Sequence, residues 1–243
     1  MEFQKKYLTV FSLLLGFAVL CSAVLSALAQ NAMPVMQTVT QTPAPVIVLD
    51  PGHGGEDGGA VSCTGCKESE LNLEIGLRLN DLLRFFGIRT VMTRSEDKSV
   101  YDANAVTVSE KKVSDLKNRA KLTNETPNAL FVSIHQNQFS DGKYSGAQVF
   151  YATTEGSRAL AEQLQMLLRE LLDPDNHREA KESSAVWLME HINCTGVLVE
   201  CGFLSNDEEE KRLKTPEYQK KLACVIACGI TEYLTGEIEI NES

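Results

Sequence analysis

Hydrophobic positions along this chain fall into two alternating rhythms. Short apolar, often β-branched runs at Val46 to Leu49, Ile88 to Thr93, Ala129 to His135, Ala147 to Ala152, Val186 to Glu190 and Val197 to Cys201 predict strands, the last two around a turn at Asn193 to Gly196. Between them the period lengthens. Leu71, Ile75, Leu79, Leu82 and Phe86 recur at helical spacing, and Leu73, Leu77 and Leu83 widen the stripe, which predicts a helix with a broad buried face. Ser69 suits its N-cap and Gly87 its stop. Further helices are predicted over Val113 to Thr126, over Ser157 to Leu172 with a Leu and Met face, and over Pro216 to Leu234, where the proline suits a first turn. Arg94 to Lys112 and Asp173 to Ser184 are polar and irregular, the first long enough to be functional or mobile. Strands alternating with helices predict an α/β fold, one domain on a mainly parallel or mixed sheet.

Both ends break the pattern. Lys5 and Lys6 precede an uncharged run from Tyr7 to Ala29, with Ala27-Leu28-Ala29 as a small-residue cleavage site. Residues 1–29 therefore read as an export signal or, being long enough to span a bilayer, as a retained membrane anchor. Cys21 follows the bulky Leu20 and does not suit a lipidated cysteine. Residues 30–44, rich in Gln, Thr, Pro and Ala, read as a linker, residues 45–236 as the folded domain and residues 237–243 as a tail. The expected location is outside the cytoplasm, with the membrane met only through the N-terminal segment. The balance of 33 acidic against 23 basic residues argues against a nucleic-acid partner, which would favour Lys and Arg.

Chemistry gathers where strands end. The first strand runs into Asp50-Pro51 and then a glycine-rich stretch, IVLDPGHGGEDGGA, that sets His53 just past a strand's carboxyl end. A phosphate-cradling loop is the wrong reading, since no Gly-Lys-Ser/Thr follows and Glu56 and Asp57 would repel phosphate. His135 ends another strand and Glu200 ends VLVE, so parallel strands would bring all three side chains to one sheet edge. Glu68 or Glu70, just ahead of the first long helix, adds a carboxylate favoured by the helix dipole; spacing alone does not separate the two. Two histidines and one carboxylate, with water in the fourth position, form the ligand set of catalytic zinc sites. Glu200, flanked by Leu198, Val199 and Cys201, is then a desolvated carboxylate suited to a general base. His177 and His191 lack strand-end placement and are assigned to the surface.

The cysteines divide by context. Cys63 and Cys66 form a CxxC that reads as a short-loop disulfide or two free thiols, because no second CxxC completes a four-cysteine zinc site. Cys224 and Cys228 are expected as small core residues on the apolar face of the last helix. Cys201 should point to the face of its strand opposite Glu200.

Taken together, the ordered blocks VLDPGHGGEDGGA, ESELNL, Thr93-Arg94, NRAKLTN, FVSIHQN and VLVECGFLSNDEE resemble the zinc-dependent N-acetylmuramoyl-L-alanine amidases of the type 3 family, from about Val46 to Leu234. The resemblance implies a twisted, mixed sheet flanked by helices, with His53, Glu68 and His135 as ligands to one zinc ion and Glu200 as the catalytic glutamate. It also selects Glu68 over Glu70. The implied substrate is the peptidoglycan glycan strand with its stem peptide, cleaved between N-acetylmuramic acid and L-alanine. A short catalytic domain after a hydrophobic amino terminus is similar to the spore-cortex amidases of endospore formers, which strip peptide from muramic acid so that muramic lactam can form. A vegetative wall amidase would share every catalytic residue, and a catalytically silent wall-binding homologue would keep the fold. An activating protein partner is a further expectation, with Arg94 to Lys112 as its contact. Two departures from the family pattern stand out: Gln138, where a small residue is usual, and the CTGC insertion ahead of Glu68. The first is expected to alter substrate fit.

Overall fold

The first strand, β1 (Val46–Pro51), is buried along its whole length and serves both layers of the core. Ile47 and Leu49 point to one side of the sheet and Val48 to the other, as the two-residue period of a strand requires. The computed structural model describes residues 44–236 apart from residue 184. The expected signal or anchor, the linker up to residue 43 and the tail lie outside the described residues.

Around β1 are β2 (Arg89–Met92), β3 (Ala129–Asn137), β4 (Gln148–Tyr151), β5 (Lys181–Glu182) and β6 (Thr195–Phe203), in the spatial order β2-β1-β3-β6-β4-β5. The four strands β2, β1, β3 and β6 are parallel, while β4 pairs antiparallel with β6 and β5 follows β4. The sheet is therefore mixed, as expected. Helices α1 (Glu68–Phe85), α3 (Ser157–Leu172) and α6 (Pro216–Thr235) pack on one face through Ile75, Leu79, Leu164, Ile226 and their neighbours. Helices α2 (Val108–Glu125) and α4 (Trp187–His191) cover part of the other face through Ala120, Leu188 and Met189. A short α5 (Asp207–Leu213) follows β6. Among the described residues no helix is long and apolar enough to cross a membrane.

Several elements depart from the hydrophobic pattern, each for a local reason. Val186 to Glu190 is not a strand but leads into α4, where Trp187 stacks on His191 one helical turn away with ring centroids 3.7 Å apart. Helix α2 starts at Val108 rather than Val113 because Thr107 and Glu110 form a reciprocal capping box. Helix α1 starts at Glu68, one residue before the expected cap at Ser69. Its first amides need no side-chain cap: those of Glu68 and Ser69 donate to the carbonyls of Ala60 (2.8 Å) and Gly58 (3.1 Å) in the glycine-rich loop. Helix α5, absent from the expectations, is capped by Asn206, whose side chain accepts from the amides of Glu208 and Glu209. Cys224 and Cys228 are exposed, contrary to expectation. Each lies two residues, or about 200°, from the buried Ile226, which turns both away from the core.

Candidate active site

Four strands of the sheet share a carboxyl edge, and there the backbone of β1 turns sharply. His53 takes a left-handed conformation with φ of 61°, uncommon for a residue with a side chain. Amides and carbonyls of Gly54 and Asp57 pair in both directions to close the turn. Two of the loop's glycines are demanded by close approach to the site's own side chains. A Cβ on Gly52 would lie 2.2 Å from atoms of the His135 ring, and one on Gly59 would lie 2.6 Å from Glu68 Oε2 and 2.7 Å from His53 Cδ2.

The loop, α1 and β3 bring His53, Glu68 and His135 together, so that one ligand atom from each lies within 4.8 Å of the others. The two rings meet edge to face with centroids 5.1 Å apart. His53 Nε2 is 3.4 Å from Glu68 Oε2, close to the about 3.3 Å edge of a zinc tetrahedron with 2.0–2.1 Å bonds. His135 Nδ1 is 2.8 Å from Glu68 Oε1. Glu68 is buried and also accepts hydrogen bonds from the backbone amides of Ala60 and Gln136 and from Asn72 Nδ2. Burial works against its ionised form, but the hydrogen bonds from His135 and His53 prevail and hold its pKa far below the ordinary carboxylate range. Burial likewise opposes charging of His53, yet its hydrogen bonds to Asp57 and Glu68 raise it to about 9. The set has the donor types of a catalytic zinc site and could hold one divalent ion.

His53 Nδ1 is held by Asp57 Oδ2 at 2.8 Å, a carboxylate behind a histidine of the kind that orients metal ligands. The hydrogen bond from His53 lowers the Asp57 pKa to about 2. Glu200 stands across from His135 as its register partner on β6, its side chain on the same face of the sheet. Its Oε2 is buried without a hydrogen-bond partner among the described residues, an orphaned oxygen that a water or ion beside the triad would satisfy. Desolvation raises the Glu200 pKa to about 7, with the charge of Glu68 adding to the effect and the histidines opposing it.

Other candidates fall away from this cluster. Glu70 is exposed and pairs with Lys67, and His177 and His191 are exposed. Cys201 is buried in the core on the opposite side of β6 from Glu200, and Cys63 and Cys66 are unbridged. The two departures from the family pattern touch each other. Residues 61–67 form a small hairpin, and Gln138 Nε2 donates to its Val61 carbonyl at 3.1 Å, tying the end of β3 to the insertion.

Beneath His53 lies a polar cluster that the spacing of residues did not announce. Arg119 and Arg94, both about 2% exposed, reach the loop from opposite sides. Arg119 donates to the carbonyls of His53 (2.7 Å) and Pro51 (3.0 Å) and pairs with Asp50 at 2.6 Å. Arg94 donates to the carbonyls of Pro51 (2.8 Å), Gly52 (3.0 Å) and Ser69 (2.7 Å). Three successive carbonyls are thus fixed, and with them the unusual backbone of His53. Both arginines stand in blocks of the resemblance, which was the available signal.

Comparison with known proteins gives the family of the chain. Residues 47–232 match the family described as N-acetylmuramoyl-L-alanine amidase. The germination-specific N-acetylmuramoyl-L-alanine amidase of Bacillus subtilis is 39% identical over 193 residues, 78% of this chain and 80% of that protein. The CwlD amidase of Clostridioides difficile, solved in complex with the GerS lipoprotein, superposes with a TM-score of 0.76 at 39% identity, covering 79% of this chain and 99% of the other. The amidase AmiC2 of Nostoc punctiforme superposes with a TM-score of 0.68 at 28% identity, covering 79% and 98%. With its residues 47–232 matched and its mixed α/β sheet shared, this chain belongs to the N-acetylmuramoyl-L-alanine amidase family.

Proposed function

We propose that this amidase works with a single zinc ion held by His53, Glu68 and His135, and that Glu200 is its general base and acid. The observation that carries this is the convergence of three ligand atoms within 4.8 Å beside a carboxylate whose buried Oε2 has no partner among the described residues. Zinc, when bound, lowers the pKa of a water to about 7 and polarises a carbonyl oxygen. Glu200 accepts the attacking water's proton and returns it to the departing amine of L-alanine. Its raised pKa suits both halves of that exchange, since a group titrating near 7 gives up a proton as readily as it takes one. Asp57 keeps the His53 ring turned towards the ion, and the two arginines keep its backbone in place.

The proposed setting is outside the cytoplasm, with residues 1–29 as export signal or anchor, residues 30–44 as linker and residues 45–236 as catalytic domain. The proposed substrate is spore-cortex peptidoglycan, whose bared muramic acid would go on to muramic lactam. The germination-specific relative supports that choice over a vegetative wall. The lipoprotein seen on a second relative supports a protein partner here as well. The test is digestion of cortex-type glycan by the purified chain, with metal content measured on the same sample. New amino termini should be alanine, zinc should be present at one per chain, and chelation should stop release. Release of peptides with any other amino terminus, or full activity after chelation, overturns the proposal.

A further inference from the structure

Beyond Glu200 the sheet reverses direction, and the reversal brings a cation to the edge where the site lies. Strands β4 and β5 run against β6, so residues just before them stand beside the carboxyl end of β6. Gln148, at the start of β4, is the register partner of Glu200 and shares its face. Arg178, in the segment leading to β5, donates from Nη1 to Gln148 Oε1 (3.2 Å) and from Nε to the Ser145 carbonyl (2.8 Å). Its guanidinium lies over the Phe203 ring, 4.6 Å from the centroid. These contacts hold the guanidinium flat and aimed. Among the described residues no carboxylate pairs with Arg178, and its second terminal nitrogen donates to nothing. By contrast Arg119 is paired with Asp50 and Asp115, and Arg94 is spent on backbone carbonyls. In a chain of net charge −10, an oriented arginine without an acid beside the site is conspicuous.

We infer that Arg178 is a specificity residue that receives a carboxylate on the peptide limb of the substrate, one residue beyond the alanine. The inference rests on the proposed function, because that reading sets the substrate's direction. If Glu200 hands a proton to the departing amine, the amine lies on the Glu200 side of the ion and the peptide leaves across β4, towards Arg178. The sugar side then faces His53. The opposite course would run the acidic peptide past Asp57, already held by His53, and Glu56, already paired with Lys111. Distances agree. Neighbouring strands lie about 4.8 Å apart and an extended peptide advances about 3.3 Å per residue, so the residue after alanine comes within reach of a long side chain anchored on β4. Beside Arg178, Phe139 stacks on Phe203 at 5.5 Å and is 50% exposed, an apolar ledge for the rest of the peptide. A charge-assisted, two-pronged contact with a carboxylate is what a guanidinium offers and a carboxamide cannot fully use.

The experiment uses the zinc-loaded chain and two glycan fragments that differ at one atom group: peptides whose second residue is D-glutamate with a free α-carboxylate, or D-isoglutamine. The parent should favour the carboxylate by roughly tenfold to a hundredfold in kcat/KM, the usual effect of a hydrogen bond to a charged group. Arg178→Gln should bring the ratio to within about twofold of one, with the change in KM for the carboxylate substrate, and Arg178→Lys should keep part of it. A ratio near one in the parent, or a ratio that survives Arg178→Gln, overturns the inference while leaving the amidase reading intact. Cleavage of neither fragment at the muramoyl amide would overturn that reading and this inference with it.

Discussion

Removing the charge of Asp50 should destabilise the fold more than any surface change, and the structure sets the size. Asp50 Oδ1 accepts from Arg119 (2.6 Å) and Thr93 (2.7 Å), and Oδ2 from Ser133 (2.7 Å), all buried. In Asp50→Asn the shape survives, but an amide donor faces one of these donors and Arg119 loses its buried counter-charge. Breaking a buried pair from one side costs about 3–5 kcal/mol, and Asp115, still 2.5 Å from Arg119 Nε, puts the expectation near the lower end. At about 2–4 °C per kcal/mol for a domain of this size, the melting temperature should fall by roughly 6–12 °C. Denaturant unfolding measured with and without Arg119→Met gives the coupling: the double variant should lose less than the sum of the two singles. The pH dependence follows from sign. Burial opposes ionisation of Asp50, but Arg119 and its hydrogen bonds prevail and lower its folded pKa below the unfolded value. Its contribution is therefore present above the ordinary carboxylate range and is lost as pH falls through the folded value. The gap between parent and Asp50→Asn should narrow on acidification. An Asp50→Asn chain within 1 kcal/mol of the parent at neutral pH would refute this account of the buried cluster.

Three further outcomes bear on the site. Glu200→Gln should keep zinc at one per chain and lose roughly 10²–10⁴ in kcat, whereas His53→Ala should lose both; an active Glu200→Gln enzyme would remove Glu200 from the chemistry. Asp57→Ala should weaken zinc binding by about 10–100-fold in chelator competition, with little change in unfolding free energy since Asp57 is half exposed; unchanged affinity would show that the contact does not orient His53. Gly52→Ala should displace the His135 ring, because the added methyl falls 2.2 Å from it, and zinc retained after dialysis should drop; full retention would mean the loop has room that the structure denies it.

The strands that build the site were legible because each is an apolar run that stops on a polar residue. His53, His135 and Glu200 could be placed on one edge by assuming parallel strands, and the observed β1, β3 and β6 are parallel. Glu68 was legible only with the help of resemblance, since Glu70 has equal claim from spacing. Helical content was harder to read where side chains are polar. Helix α2 owes its first turn to a capping box, and α5 to Asn206 together with acidic residues, neither of which shows in a hydrophobic period. Val186 to Glu190 misled because a short amphipathic turn also fits an alternating run.

What could not be read from spacing is what reaches the site from outside it. Arg119 is buried, yet it comes from a helix whose sequence looks solvated, and only the third dimension shows it ending on the His53 carbonyl. Arg178 is hidden for a different reason. Its segment looks like an ordinary polar loop, and it meets the site only because β4 and β5 run backwards beside β6. An all-parallel sheet would have sent residues 178 and 148 to the far edge, so the reversal that makes the sheet mixed is also what gives the edge a cation. The consequence is a division of labour across the sheet. On the function proposed above, the ends of the parallel strands β1, β3 and β6, with the first turn of α1, present the imidazoles and acids that would gather around one ion, and the two strands that run against β6 bring up the charge that would tell one peptide from another.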